Sequence, residues 1–337
     1  MSQKTKKQHY VPQCYLNAWG IAGRHQIHIY DKALDKTRIN NIEDVASERF
    51  FYDVNPNEIF SESTLANLKE QGLTWDSEEK SQGIEHVFAA EVEKPFSDLL
   101  REMITKASDA TPWHIKNCFF VSQEKKGEFA AYLALQYIRT KRVRMTFHET
   151  SDCIIQAAKE FGFQESSCEK YSISDEQAKN IHVQMLMDIE VLCDLTKSFI
   201  DKTWILGINR TKTLFYTSDS PIATHAHIKH SFMSMSGIGS KGVEVVFPIS
   251  PSLILIMIDG SYHTQCLPYE RRYIEITEND QVEFYNSVLA FQANRTVFST
   301  DGDFNLLEDM KRKDPGVFKR PALSVRVGDK TIYPKND

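Results

Sequence analysis

The chain has 337 residues, 41% hydrophobic and 26% charged, an ordinary balance for a soluble globular protein. Its net charge of −6 argues against a nucleic-acid binder that is basic over its whole surface, while leaving room for a local basic face. The longest apolar runs, such as residues 245–249 and 253–258, are far short of the ~20 residues that span a bilayer, and no apolar segment follows the basic start; neither a membrane anchor nor a secretory signal is expected, and the chain reads as cytosolic.

The chain opens on a dense stretch. Residues 8–19 carry Tyr10, Tyr15 and Trp19 together with His9 and Pro12. Tyr and Trp side chains each bury roughly 150–250 Å², so this segment is expected to be tied into the body of the protein instead of fraying. His9 would then sit in a packed setting where an imidazole can titrate near neutral pH, with Tyr10 beside it as a ligand contact. Six cysteines are spread without a single CxxC pair, which excludes a zinc ribbon or a thioredoxin motif and suits reduced, partly buried thiols. Cys14 is a nucleophile candidate by position alone.

Residues 26–30 alternate as a short strand, 31–36 read as a polar turn, and 39–53 return through a turn of helix and a second short strand. A polar connection follows over 53–82, with one short helix near 63–70. Helices then dominate. Apolar residues recur at three and four over 83–105, and Pro95 should kink or restart that helix. Glu91 falls near its apolar face, either as a solvated side chain or as an inward carboxylate with a partner. The strongest helical pattern runs from 126 to 150 and puts Gln136 and Arg139 on one face with Tyr132 and Leu133. A guanidinium there must find a carboxylate, a carbonyl or an anionic ligand. Arg139 is thus either half of a structural ion pair or a phosphate clamp. Lys141, Arg142 and Arg144 follow as a solvated basic turn or an electrostatic rim. Residues 152–161 and 175–196 read as packing helices.

At Lys202 the period changes to two. Strands are expected at 203–208, 212–217, 242–249 and 253–259, with a weaker one at 273–276 and a hairpin turn at 209–211. A helix at 279–294 and a strand at 295–299 follow, then a charged remainder over 309–337 with an edge hairpin within 322–333. The order implies an α+β fold: a mostly antiparallel sheet drawn from N-terminal and C-terminal segments, with a large helical block inserted between them at about 55–200. The C-terminal sheet spans about 201–305 of a single domain over 1–325, and 326–337 form a tail.

A second group of candidates ends the strand at 212–217. Thr217 and Ser218 offer hydroxyls, and Asp219 could be a general base, a metal ligand, the partner of Arg139 or an Asx-turn residue before Pro221. His225, His227 and His230 form an H-x-H-x-x-H run of the kind that can bind zinc or nickel, though the spacing matches no familiar site. Residues 237–242 match GxGxxG formally but lead into a strand, whereas the dinucleotide fingerprint opens a helix. There is no GxxxxGK[ST], HExxH or GxSxG. Asp219 and Glu244 lack the lysine that a D…ExK nuclease motif needs, because Val245 and Val246 follow.

Taken in order, these pieces resemble the family called domain of unknown function 4238. The opening Gln8-His9-Tyr10-Val11-Pro12-Gln13-x-Tyr15-Leu16 is similar to its hallmark. Ile29-Tyr30-Asp31, Phe51-Tyr52, Glu91, Gln136-x-x-Arg139-Thr140, Trp204, Phe215-x-Thr217-Ser218-Asp219-x-Pro221, Pro248-x-Ser250-Pro251, Asn286 and Ala293-x-Arg295 continue the series to about Phe304. The resemblance implies a bacterial protein, and some such proteins occur in mobile-element defence loci and act against phage. His9, Gln136, Arg139 and Asp219 fall on its recurring polar positions.

The resulting expectation is an antiviral effector, such as a nuclease acting on RNA or DNA. His9, Glu91, Gln136, Arg139 and Asp219 would line one cleft, with Tyr10, Thr217, Ser218 and Arg142 contacting the ligand. Arg139 would bind phosphate, His9 would act as acid or base, and the carboxylates would hold a base or a divalent metal ion. The alternatives are a sensor that recognises a phage component without catalysis, and an enzyme acting on a nucleotide or NAD. The sequence leaves the oligomeric state open.

Overall fold

The computed structural model describes residues 7–63, 66, 70, 88–164, 168–228, 235–319, 323–327 and 330–334. The helix expected near 63–70 and the start of the one expected from 83 lie largely outside these residues. The chain enters through strand β1 (Lys7–His9), the short helix α1 (Gln13–Leu16), and strands β2 (Gln26–Asp31), β3 (Lys36–Asn41) and β4 (Ser47–Arg49). The polar turn at 32–35 stands as expected. Strand β3 was not anticipated over its full length because it is an edge strand, almost wholly exposed, with no apolar alternation to read.

The helical block begins, after the short α2 (Pro56–Ile59), with a π-helical turn at Phe88–Val92 that runs into α3 (Glu93–Ser108). Pro95 therefore occupies the first turn of a restarted helix, where its missing N–H costs nothing. Helix α4 (Pro112–Asn117) follows. The long helix expected over 126–150 is two helices, α5 (Gln123–Ile138) and α6 (Lys141–Glu160), broken at Arg139 and Thr140. Three carbonyls freed by the break are capped from the side. Thr140 Oγ1 donates to Tyr137 O at 3.0 Å, His182 Nε2 to Ile138 O at 2.8 Å, and the Tyr52 hydroxyl to Arg139 O at 2.8 Å. The helix expected over 175–196 is likewise divided into α7 (Asp175–Met187) and α8 (Ile189–Ile200), with the Asp188 side chain capping α8.

Strands β5 (Thr203–Asn209), β8 (Val243–Ser250), β9 (Leu253–Ile258) and β10 (Arg272–Ile276) match the expected positions. The strand expected at 212–217 and its hairpin do not form. Asn209 Oδ1 instead accepts from Thr211 N and Oγ1, and the chain crosses to another sheet as the two-residue β6 (Thr217–Ser218). Strand β7 (Ala223–Ala226), for which no strand was expected, carries the first histidine of the H-x-H-x-x-H run. Helix α9 (Asn279–Gln292), strand β11 (Thr296–Ser299), the unanticipated α10 (Asn305–Lys313) and the hairpin β12 (Val325–Val327) and β13 (Lys330–Ile332) complete the chain. The boundary placed at 325 falls within that hairpin, which the Lys330–Glu160 ion pair joins to α6.

The larger sheet has order β10-β5-β9-β8-β7, antiparallel except for the β10–β5 pair. Its central strands are buried on both faces, which is why they read as unbroken apolar runs. One face, with Trp204, Leu206, Val245 and Phe247, packs with Phe96, Phe129 and Phe199 of the helical block; the other, with Val246, Ile254 and Ile256, packs with Val282 and Leu289 of α9. The second sheet, β3-β2-β11-β6, joins N-terminal to C-terminal strands, and β1 pairs with β4 beside it. Among the described residues no helix is long and apolar enough to cross a membrane.

Candidate functional site

Strand β1 is gripped from every side. Gln8 is fully buried, donating to Asp53 Oδ1 and accepting from Tyr52 N, both at 2.7 Å. His9 Nε2 donates to Glu43 O at 3.1 Å, and burial pushes its imidazole below the ordinary range against the opposing pull of that carbonyl and of Glu93. Gln136 Nε2 donates to Tyr10 O at 3.1 Å, and Arg139 Nη2 donates to His9 O at 2.6 Å. Arg139 is the C-cap of α5 and keeps helical backbone geometry, so α5 itself carries it to this strand. Its carboxylate partner is Glu93, at 3.1 Å, and its guanidinium lies 4.2 Å over the Phe88 ring. Glu91 is exposed and takes no part in this grouping. The π turn explains the error: one extra residue per turn shifts the helical phase before Glu93, rotating 91 outward and bringing 93 to the inner face. Just beyond, the Tyr15 hydroxyl donates to Pro248 O at 2.8 Å and lies 2.6 Å from Thr217 Oγ1. Burial pushes the Cys14 thiol up to about 11, far from a thiolate nucleophile at neutral pH.

Asp219 is 1% exposed. Its Oδ1 accepts from Asn294 N, and its Oδ2 from Arg295 N and Thr296 N, all at 2.8 Å, with Thr296 Oγ1 at 3.1 Å. Burial raises its pKa against these donors. The neighbouring Ser218 hydroxyl donates to Ser220 O at 2.8 Å. Arg295 in turn meets Asp31 through Nε at 3.0 Å and Nη2 at 2.9 Å. Four of the five expected catalytic residues are thus engaged with main chain: Gln136 and Arg139 with the opening strand and the residue after it, His9 with Glu43, and Asp219 with the segment at 294–296. A small pocket of about 190 Å³ remains between these fastenings, lined by Tyr10, Arg38, Glu48, Lys141, Asp219 and Arg295.

A larger cleft of about 680 Å³ opens on the other side of the α6 N-terminus. Tyr137, Arg142, Thr224, His225, Phe284 and Phe291 are among its walls. Arg142 is held by Glu149 in a two-bond fork at 2.8 and 2.7 Å, which uses two of a guanidinium's five donors. The first turn of α6 carries Lys141, Arg142 and Arg144 and no acidic residue, and its N-cap Thr140 makes no side-chain cap bond. Cations at the positive end of a helix dipole oppose the usual preference. Lys141 is paired with Glu48, and Arg144 is stacked 3.6 Å over Phe51 and donates to Phe51 O at 2.7 Å and to His182 Nδ1 at 3.0 Å.

Of the histidine run, His225 lines this cleft, His227 is bonded to Glu244 at 2.7 Å, and His230 lies outside the described residues. Among the described residues no group of three or more His, Cys, Asp or Glu side chains is placed to hold a metal ion. The glycines at 237–242 lead into β8, as their context implied. Sequence reading missed Glu93, Asp53 and His182. None carries a local signal, because each is defined by a partner distant in the chain.

A model of the family described as "Protein of unknown function (DUF4238)" matches residues 7–303 of the chain, a span that runs from β1 past β11 and takes in both clefts' walls almost entirely. No curated protein and no solved structure matches it.

Proposed function

The chain belongs to the DUF4238 family, and from that premise we propose that it is a cytosolic effector of bacterial defence against phage, taking a nucleotide or nucleic acid by its phosphates in the Arg142 cleft. The observation that carries this reading is the cleft itself. At about 680 Å³ it is of the size that holds small ligands, and it sets two partly exposed aromatic rings, Phe284 at 39% and Phe291 at 44%, beside an arginine with donors to spare. Rings of this kind stack on bases, and a planar guanidinium suits phosphate. Arg142 stands in the first turn of α6, so the positive end of that helix faces the same ligand site. His9, Gln136, Arg139 and Asp219 receive no chemical role here, since their polar atoms are engaged with main chain.

The test follows RNA and DNA integrity and nucleotide pools in phage-challenged cells that carry wild type, Arg142→Ala or Phe284→Ala. Breakdown of nucleic acid or loss of a nucleotide pool with wild type, absent with both folded variants, supports the reading. Protection that persists while nucleic acid and nucleotide pools stay intact would sink it and favour a sensor of a phage component.

A further inference from the structure

Glu244 stands on the face of β8 that it shares with Val246, the face packed with Ile254, Ile256 and α9. It is 6% exposed, a setting in which a carboxylate is strongly disfavoured unless each oxygen finds a donor. Each does. Tyr285 of α9 donates its hydroxyl to Oε1 at 2.9 Å, and His227 Nε2 lies 2.7 Å from Oε2. Because an ionised carboxylate only accepts, the bonded nitrogen of His227 carries the proton, and in the neutral ring Nδ1 is left as the basic atom. The His227 side chain is 32% exposed, so this orientation is fixed from behind by a buried carboxylate while the ring meets solvent. Its ring is flanked edge-on by His225, at 4.8 Å between centroids, and by His263, at 4.5 Å. His225 also contacts the Phe284 ring at 5.1 Å and lines the 680 Å³ cleft, so the histidine row continues the wall of the proposed ligand site.

We infer that His227 is the general base of a hydrolytic centre at the His225 end of the Arg142 cleft, with Glu244 and Tyr285 as its positioning residues. This rests on the cleft's reading as a phosphate-ligand site and adds a reaction to it: hydrolysis of a P–O bond in a phosphoanhydride or phosphodiester. Nδ1 of His227 takes a proton from water, and the water oxygen forms a bond to phosphorus. The P–O bond to the leaving group breaks, and the leaving oxygen receives the proton back from the imidazolium. One water is consumed and no proton is gained or lost by the enzyme. A structural role for the same residues would require only that Glu244 be satisfied, and Tyr285 with any donor would achieve that. It gives no account of three imidazoles in a row leading to the cleft.

Glu244→Gln should slow turnover and leave binding unchanged, because it removes the carboxylate that fixes the His227 ring.

The experiment measures binding and hydrolysis of two probes, ATP and a single-stranded RNA oligonucleotide, by purified wild type, His227→Ala, Glu244→Gln, Tyr285→Phe and Arg142→Ala. The expected result is turnover of one probe by wild type. His227→Ala should bind that probe as wild type does and turn it over about 100-fold or more slowly, whereas Arg142→Ala should lose binding. Tyr285→Phe keeps the ring and serves if Glu244→Gln fails to fold; it should slow turnover with KM unchanged. Hydrolysis that survives in His227→Ala overturns the inference and leaves the binding site standing. Binding without turnover by wild type does the same. Failure of wild type to bind either probe overturns the site and the inference together.

Discussion

Around β1 and along the Arg142 cleft the chain uses the same residue types for opposite ends. Arg139, Gln136 and Asp219 each reach main-chain atoms inside the protein, and those bonds close one piece of backbone onto another, with Glu93 as a further partner of Arg139. Arg142 and His227 finish on carboxylates that fix one edge of the group and leave another edge facing outward. A polar side chain on an apolar face is thus no measure of chemistry until its partners are known. Where donors meet backbone carbonyls the residue is a clasp, and where a carboxylate alone holds one side of it the residue is presented.

The largest test of this contrast is Arg139→Ala. It removes the bond to His9 O, the pair with Glu93 and the stacking on Phe88, and leaves a buried carbonyl without its donor. A loss of about 3–5 kcal/mol is expected from urea unfolding. A loss below about 1 kcal/mol would return Arg139 to the candidate anion binders.

Next comes a pH effect on the clasped side. His182 donates from Nε2 to Ile138 O and accepts at Nδ1 from Arg144, which can only donate, so the ring must be neutral. Burial, reinforced by the Arg144 charge, pushes it down to about 3 from the ordinary 6.5. The unfolded chain takes up a proton that the folded protein refuses, so this stability is whole above pH 6.5 and declines as pH falls towards 3. About 2–3 kcal/mol should be lost between pH 6.5 and 4.5 in thermal or urea unfolding. His182→Gln should be less stable at neutral pH and flatter across that window; an equally steep decline in this variant would place the titration elsewhere.

The smallest effect on stability belongs to the presented side. Arg142→Ala leaves a half-buried Glu149 near water and should cost about 1 kcal/mol or less. It should nonetheless abolish binding of a phosphate ligand by calorimetry. A variant that unfolds as readily as Arg139→Ala would erase the distinction between the two regions.

Much of the architecture was legible. The apolar runs that became β5, β8 and β9, the helix α9 and the packed opening stretch all declare themselves through composition and period. What stayed hidden depends on partners far along the chain. The break at Arg139 and Thr140 interrupts a helical pattern that continues on both sides, and it is stabilised by Tyr52 and His182. Polar β3 and two-residue β6 are strands only because β2 and β11 pair with them. Gln136 and Arg139 were recognisable as polar groups on an apolar face, whereas their main-chain partners were not. Glu93 escaped notice because the π turn reset the phase that pointed to Glu91.

The pairing of β2 with β11 sets a timetable for the ribosome. Asp31 and Arg295 are 264 residues apart, so at about 5–20 residues per second the early strand waits roughly 15–50 s for its neighbour to be made. Through that interval β2 presents Ile27, Ile29 and Tyr30 with one edge unmatched. That edge is an aggregation hazard for as long as it stays open, and slower synthesis near the end of the message should lower the yield of native protein.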